Sequence, residues 1–142
     1  MLVIKFNKCH ALAKIPTKAD SGSNGYDLYA VEDGILPPCK WGAFATGLKI
    51  ELPQGYVGWI CPRSGLALKR GVTVLNTPGT VDFSFRGEVK VILVNHDSIP
   101  YPVRTGDKIA QILFVKTEDA TFSEEALSET ERAEGGFGHS GR

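Results

Sequence analysis

Turn residues break this chain into apolar runs too short for most helices, and that punctuation limits its fold more than any other feature. Pro37-Pro38, Pro53-Gln54-Gly55, Pro78-Gly79, Arg86-Gly87, Pro100 with Pro102, and Gly106-Asp107 recur along it. Proline cannot donate to a backbone ladder and glycine favours reversals, so each group ends an element. Strand-like runs occupy 2–6, 25–30, 48–52, 56–61, 72–75, 88–96 and 108–115. Alternation as in Leu48-Lys49-Ile50-Glu51-Leu52 turns one face inward, as a half-buried strand requires. In 25–30 it would turn Tyr26, Leu28 and Ala30 to one side, and Asp27 and Tyr29 to the other. Pro37-Pro38 and Gly42 are expected to cut the stretch between these strands into short pieces. The run 88–96 is apolar on both faces and is the expected central strand. Short strands so spaced predict an all-β sandwich or barrel.

Helix is scarce. One short turn is expected at 64–70, with Ser64 as its N-cap and Gly71 closing it. From Lys116 onward the chain is polar and acidic, with room for a second short helix near 124–127. It ends in a glycine-rich arm carrying Arg132, Arg142 and one ring, Phe137. Such an arm should be mobile until something binds. The division expected is therefore one domain over 1–142, with a β core to about residue 116 and a C-terminal arm from about 117.

Sixteen basic residues balance sixteen acidic ones, so no overall field draws the chain to nucleic acid or an anionic membrane. Any anion site must be local. Cys9, Cys39 and Cys61 lack a CxxC spacing, which fits reduced thiols better than a disulfide framework or a zinc site. No run reaches membrane-spanning length, so a soluble, intracellular protein is expected.

Several residues invite chemistry, and each also has a plain structural reading. Asp82 stands in a bend between the runs 72–75 and 89–94, either facing water or presented for reaction. Asp27 opens a strand after a loop and could simply satisfy that loop. Arg63, Ser64 and Gly65 begin the helix, where free N–H groups can seat a phosphate or merely be capped. Gln111 is an amide in an apolar run, a core residue or a contact. The arm lacks the GxxxxGK[ST] pattern of a P-loop, yet its glycines could wrap an anion.

Taken in order, these pieces resemble a known family. Gly25-Tyr26-Asp27-Leu28, Pro62-Arg63-Ser64-Gly65-Leu66-Ala67, Gly79-Thr80-Val81-Asp82 with Arg86-Gly87-Glu88, Gly106-Asp107-Lys108-Ile109-Ala110-Gln111, and Arg132 with Gly135-Gly136-Phe137-Gly138 resemble the five motifs of the trimeric dUTPases. The resemblance implies a distorted jelly-roll or β-barrel with one short helix and a flexible C-terminal arm. It implies hydrolysis of dUTP to dUMP and pyrophosphate, which limits uracil incorporation into DNA and supplies dUMP for dTMP synthesis. It further implies a homotrimer with shared sites, and Mg2+ held through substrate phosphates and water, with no direct protein ligand.

On that resemblance Asp82 is the general base that holds and deprotonates the water attacking the α-phosphorus. Arg63, Ser64, Gly65 and Gln111 contact phosphate, and Asp27 supports the metal and water side. Asn76, Gly79, Thr80, Val81 and Lys90 resemble the uracil and sugar pocket, where a mismatched base would bury unpaired polar groups. Phe85 stands where the family usually has tyrosine; its ring can still lie under the deoxyribose, without a phenol oxygen. Phe137 would stack on the uracil, Arg132 would reach the γ-phosphate, and Gly138 and Ser140 would donate to phosphate, while His139 replaces a common serine. A dCTP deaminase-like relative would instead release ammonia from dCTP, and a non-catalytic β-sandwich module would not need its arm.

Overall fold

The computed structural model describes residues 1–141; Arg142, one of the two arm arginines, lies outside the described residues. In chain order the strands are β1 (Lys5–Lys8), β2 (Tyr26–Tyr29), β3 (Gly34–Leu36), β4 (Trp41–Glu51) and β5 (Tyr56–Cys61). The helix α1 (Ser64–Arg70) follows, then β6 (Val72–Val74), β7 (Gly79–Val81), β8 (Glu88–Asn95), β9 (Tyr101–Val103) and β10 (Lys108–Lys116). One four-stranded sheet has the order β1-β4-β8-β6, a second has β2-β10-β5-β7, and β3 and β9 form a small third. All named pairings are antiparallel. The result is an all-β, jelly-roll-like fold.

The two larger sheets bury their inner faces against one another, as the alternation requires. Leu28, Leu36, Leu48, Leu93, Ile109 and Ile112 are almost fully buried, and Val91 is inaccessible. The strand over 88–95 is central, lying between β4 and β6. Its polar end is satisfied internally: the buried Asn95 donates through Nδ2 to Leu36 O (3.1 Å) and Ile99 O (2.8 Å). Unpaired, that amide would cost on the order of 1–3 kcal/mol.

Several local expectations are corrected. Gly42 does not break the chain, because β4 runs eleven residues through it. Pairing of Gly42 with Leu93 on the central strand outweighs glycine's weak strand propensity. The first strand starts at Lys5 rather than Leu2. The bend over 76–87 is no simple hairpin loop: β6 and β8 pair in one sheet, while β7 between them joins β5 in the other. Ser64 is the first helical residue, and the capping position falls to Arg63, which is extended (φ −95°, ψ 126°) without a side-chain cap bond. Gly71 closes the helix in the left-handed region at φ 58°. Residues 124–127 form no helix. Leu127 there is fully exposed, and an isolated turn with no face to bury is marginal in water.

Candidate active site

Three strands of the second sheet bring separate stretches of sequence to one place. In register, Gln111 on β10 stands opposite Asp27 on β2 and opposite Cys61 on β5. The chain leaves β5 at Pro62-Arg63, so Arg63 turns back over this end of the sheet. Its Nε lies 3.3 Å from Asp27 Oδ1, and its Nη1 donates to Lys108 O at 3.1 Å. Lys108 Nζ lies 2.7 Å from Asp27 Oδ2. That contact is an ion pair without hydrogen-bond angles, which leaves the buried Oδ2 with no directed donor among the described residues. The carboxylate holds the Lys108 ammonium above its usual range.

Gln111 is oriented just as firmly. Its Nε2 donates to Pro62 O at 2.9 Å. Its side chain lies against Gly25, where an added Cβ would fall 1.9 Å from Gln111 Oε1 and 2.8 Å from Cδ. Only a residue without a side chain admits the amide in that position. Ser64 and Gly65, which follow Arg63 in the chain, are exposed. Asp27, Arg63 and Gln111 stand out in the sequence, whereas Lys108 comes onto Asp27 only through the pairing of β2 with β10.

The second group surrounds a cavity of about 360 Å3 on the far side of β5. Asn76, Gly79, Thr80, Val81, Phe85 and Lys90 all line it, within the size range of small-ligand sites. Gly79 lets the Asn76 amide approach: an added Cβ would lie 3.1 Å from Asn76 Nδ2. The Phe85 ring lies on Gly87, where a Cβ would be 2.6 Å from Cζ. Arg86, unassigned by sequence, ties the loop by donating from Nη1 to Phe83 O (2.6 Å) and Phe85 O (2.9 Å). At the mouth of this loop Asp82 accepts Phe85 N–H on its backbone carbonyl at 3.0 Å. Its side chain is exposed, and no ion pair engages it among the described residues.

The arm forms a third group. Arg132, Gly138, His139 and Ser140 border an open hollow of their own, and Arg132 Nε donates to Gly135 O at 2.8 Å. Phe137 has its ring in solvent and a left-handed backbone (φ 48°), which is uncommon for a bulky residue. Beyond the Thr117 N–H donated to Gly55 O, the arm's hydrogen bonds among the described residues stay within it.

These groups do not meet within one chain. β7 pairs with β5 so that Val81 faces Gly58 and Gly79 faces Ile60. Asp82 therefore emerges at the start of β5, and Arg63 leaves from its end. Asp27 and β7 also lie at opposite edges of the four-stranded sheet. Strand rise and strand spacing together put the Asp82 and Arg63 groups roughly 15–20 Å apart.

A family model described as dUTPase matches residues 11–141. A deoxyuridine 5'-triphosphate nucleotidohydrolase of Nocardia farcinica is 50% identical over 129 residues, 89% of this chain and 78% of that protein. One from Alkaliphilus metalliredigens is 44% identical over 142 residues, 99% of each. Among solved structures, the Staphylococcus bacteriophage 80alpha dUTPase with dUPNHPP is similar at a TM-score of 0.87 and 25% identity, covering 99% of both chains.

Proposed function

This chain belongs to the dUTPase family and hydrolyses dUTP, and we propose that it does so at sites completed by neighbouring subunits of a homotrimer. The observation that carries this reading is the separation just described. The exposed Asp82 carboxylate beside a base-sized cavity and the Arg63 cation cluster sit roughly 15–20 Å apart on one chain, too far for both to act on the same phosphates. Closed cyclic symmetry answers that geometry, because it can bring one group of each subunit to the other group of the next.

In such a site the Asn76, Gly79, Thr80, Val81 and Lys90 cavity takes the uracil and sugar, with Phe85 beneath the deoxyribose. Asp82 holds the attacking water and takes its proton as the oxygen closes on the α-phosphorus. Arg63, Ser64, Gly65 and Gln111 of the facing subunit bind the phosphates and hold them in line with the attacking water. Asp27 acts through the two cations it pairs with. Arg132, Phe137, Gly138 and Ser140 of an arm then cover the nucleotide and exclude bulk water. The core over about 1–116 and the arm from about 117 thus divide binding from closure.

The donor set fits Mg2+ brought in with the triphosphate. The exposed Asp82 carboxylate is a hard oxygen acceptor suited to that ion's outer shell, and Asp27 is taken by Arg63 and Lys108. Bound there, Mg2+ would offset phosphate charge and fix the chain's conformation.

Subunit sharing is tested by complementation. Asp82→Asn and Arg63→Gln chains, each impaired alone, are co-expressed and assayed for pyrophosphate release at dUTP well below KM. With random mixing, about a quarter of sites pair an intact Asp82 with an intact Arg63 from a different chain. Recovery near that fraction supports the reading, and no recovery above either variant alone rejects it. Release from dUTP but not dCTP, dTTP or UTP tests the base assignment.

A further inference from the structure

Asp27 is bordered by more positive charge than it can neutralise. It is 8% exposed, and its one anion faces two cations, Arg63 at 3.3 Å and Lys108 at 2.7 Å. The cluster therefore keeps one net positive charge at the end of the second sheet. Lys108 also holds Arg63 through its backbone, accepting Nη1–H at 3.1 Å. The lysine's own charge is secure, since the carboxylate keeps its ammonium above the ordinary range.

We propose that Lys108 is a positioning residue that competes with Arg63 for Asp27, leaving the guanidinium oriented yet under-neutralised and therefore able to bind a substrate phosphate. The proposal rests on the reading of Arg63 as a phosphate ligand. Attraction between opposite charges grows as they approach, so the nearer ammonium takes the larger share of the carboxylate's field. Without it, Asp27 has a single cation left, and the strongest arrangement open to the pair is a two-pronged one with Arg63. The arginine would then turn its charge inward and away from the nucleotide.

The test measures kcat and KM for dUTP in wild type, Lys108→Met, Lys108→Gln, Lys108→Arg, Arg63→Gln and the Lys108→Met/Arg63→Gln pair. The neutral variants should raise KM about tenfold while kcat changes less than about threefold. Lys108→Arg, which restores the cation, should stay within about threefold of wild type. The pair should be no worse than Arg63→Gln alone, because the lysine acts through the arginine. Effects that multiply, or an unchanged KM in the neutral variants while Arg63→Gln raises it, overturn the inference. An unchanged KM in Arg63→Gln instead removes the phosphate role beneath it. Lys108→Gln keeps a polar end against Asp27 and supplies a folded neutral variant if methionine there does not fold.

Discussion

The two halves of the proposed site on this chain are built in opposite ways. At the end of the second sheet, Asp27, Arg63, Lys108 and Gln111 are locked by ion pairs and hydrogen bonds between 2.7 and 3.3 Å, and Asp27 is buried. At the mouth of the cavity Asp82 is exposed, with no ion pair among the described residues. Groups that bind a flexible, highly charged triphosphate gain from being fixed beforehand, since their own side chains then need no ordering on binding. A base must keep its lone pairs free for water. On the proposed reading, the contrast gives orientation to one half and reactivity to the other.

That assignment is broken most directly at Asp82. Asp82→Asn keeps shape and exposure but removes the proton acceptor, so kcat should fall by about 10^2–10^4-fold with KM for dUTP nearly unchanged. A large rise in KM with kcat intact would make Asp82 a binding residue and erase the contrast. Deleting 132–142 comes next, with kcat expected to fall about 100-fold as closure is lost. Because the arm's hydrogen bonds past Thr117 stay within it, the melting temperature of the truncated chain should stay close to that of wild type.

Gly25→Ala sharpens the other half. The new methyl would sit 1.9 Å from Gln111 Oε1 and 3.2 Å from its Cβ, so the amide must swing away and release Pro62 O. One displaced, part-buried hydrogen bond is worth about 1 kcal/mol of stability. Activity should drop about tenfold, mainly through KM, if a preset amide matters to binding. Thermal unfolding and steady-state kinetics separate the two effects, and a loss confined to kcat would count against a ground-state binding role.

Much of this architecture is legible in the sequence. Strand positions followed from apolar alternation and turn residues, since both act locally; β5 and the central strand fall where expected. The local pattern misleads where a partner strand decides the outcome. Gly42 looks like a breaker until β8 pairs with it, and β7 is too short to announce itself until β5 supplies its partner. Lys108 is one more cation in a turn-strand junction, and only the β2–β10 register sets it on Asp27. The proposed site residues stand in recognisable motifs, but their division into two distant groups depends on sheet order, which no local pattern encodes.

Phe85 offers the smallest expected effect and the finest test of the contrast. Its ring is tied down by shape alone: it lies on Gly87, lines the cavity, and is held by a loop that Arg86 clasps through the Phe83 and Phe85 carbonyls. A sugar stacked on that ring gains from the flat apolar surface, which phenylalanine and tyrosine share. A phenol oxygen would project from a ring that is 42% exposed, where water competes for any hydrogen bond and leaves about 1 kcal/mol or less. Phe85→Tyr should therefore change kcat/KM for dUTP by no more than about fivefold. Phe85→Ala removes the surface itself and should raise KM more than the tyrosine variant does. A gain of two orders of magnitude in Phe85→Tyr would show that the oxygen is a reacting-site contact. In that case the cavity half would depend on a directed bond, as the Arg63 half does, and the division between a fixed half and a free half would not hold.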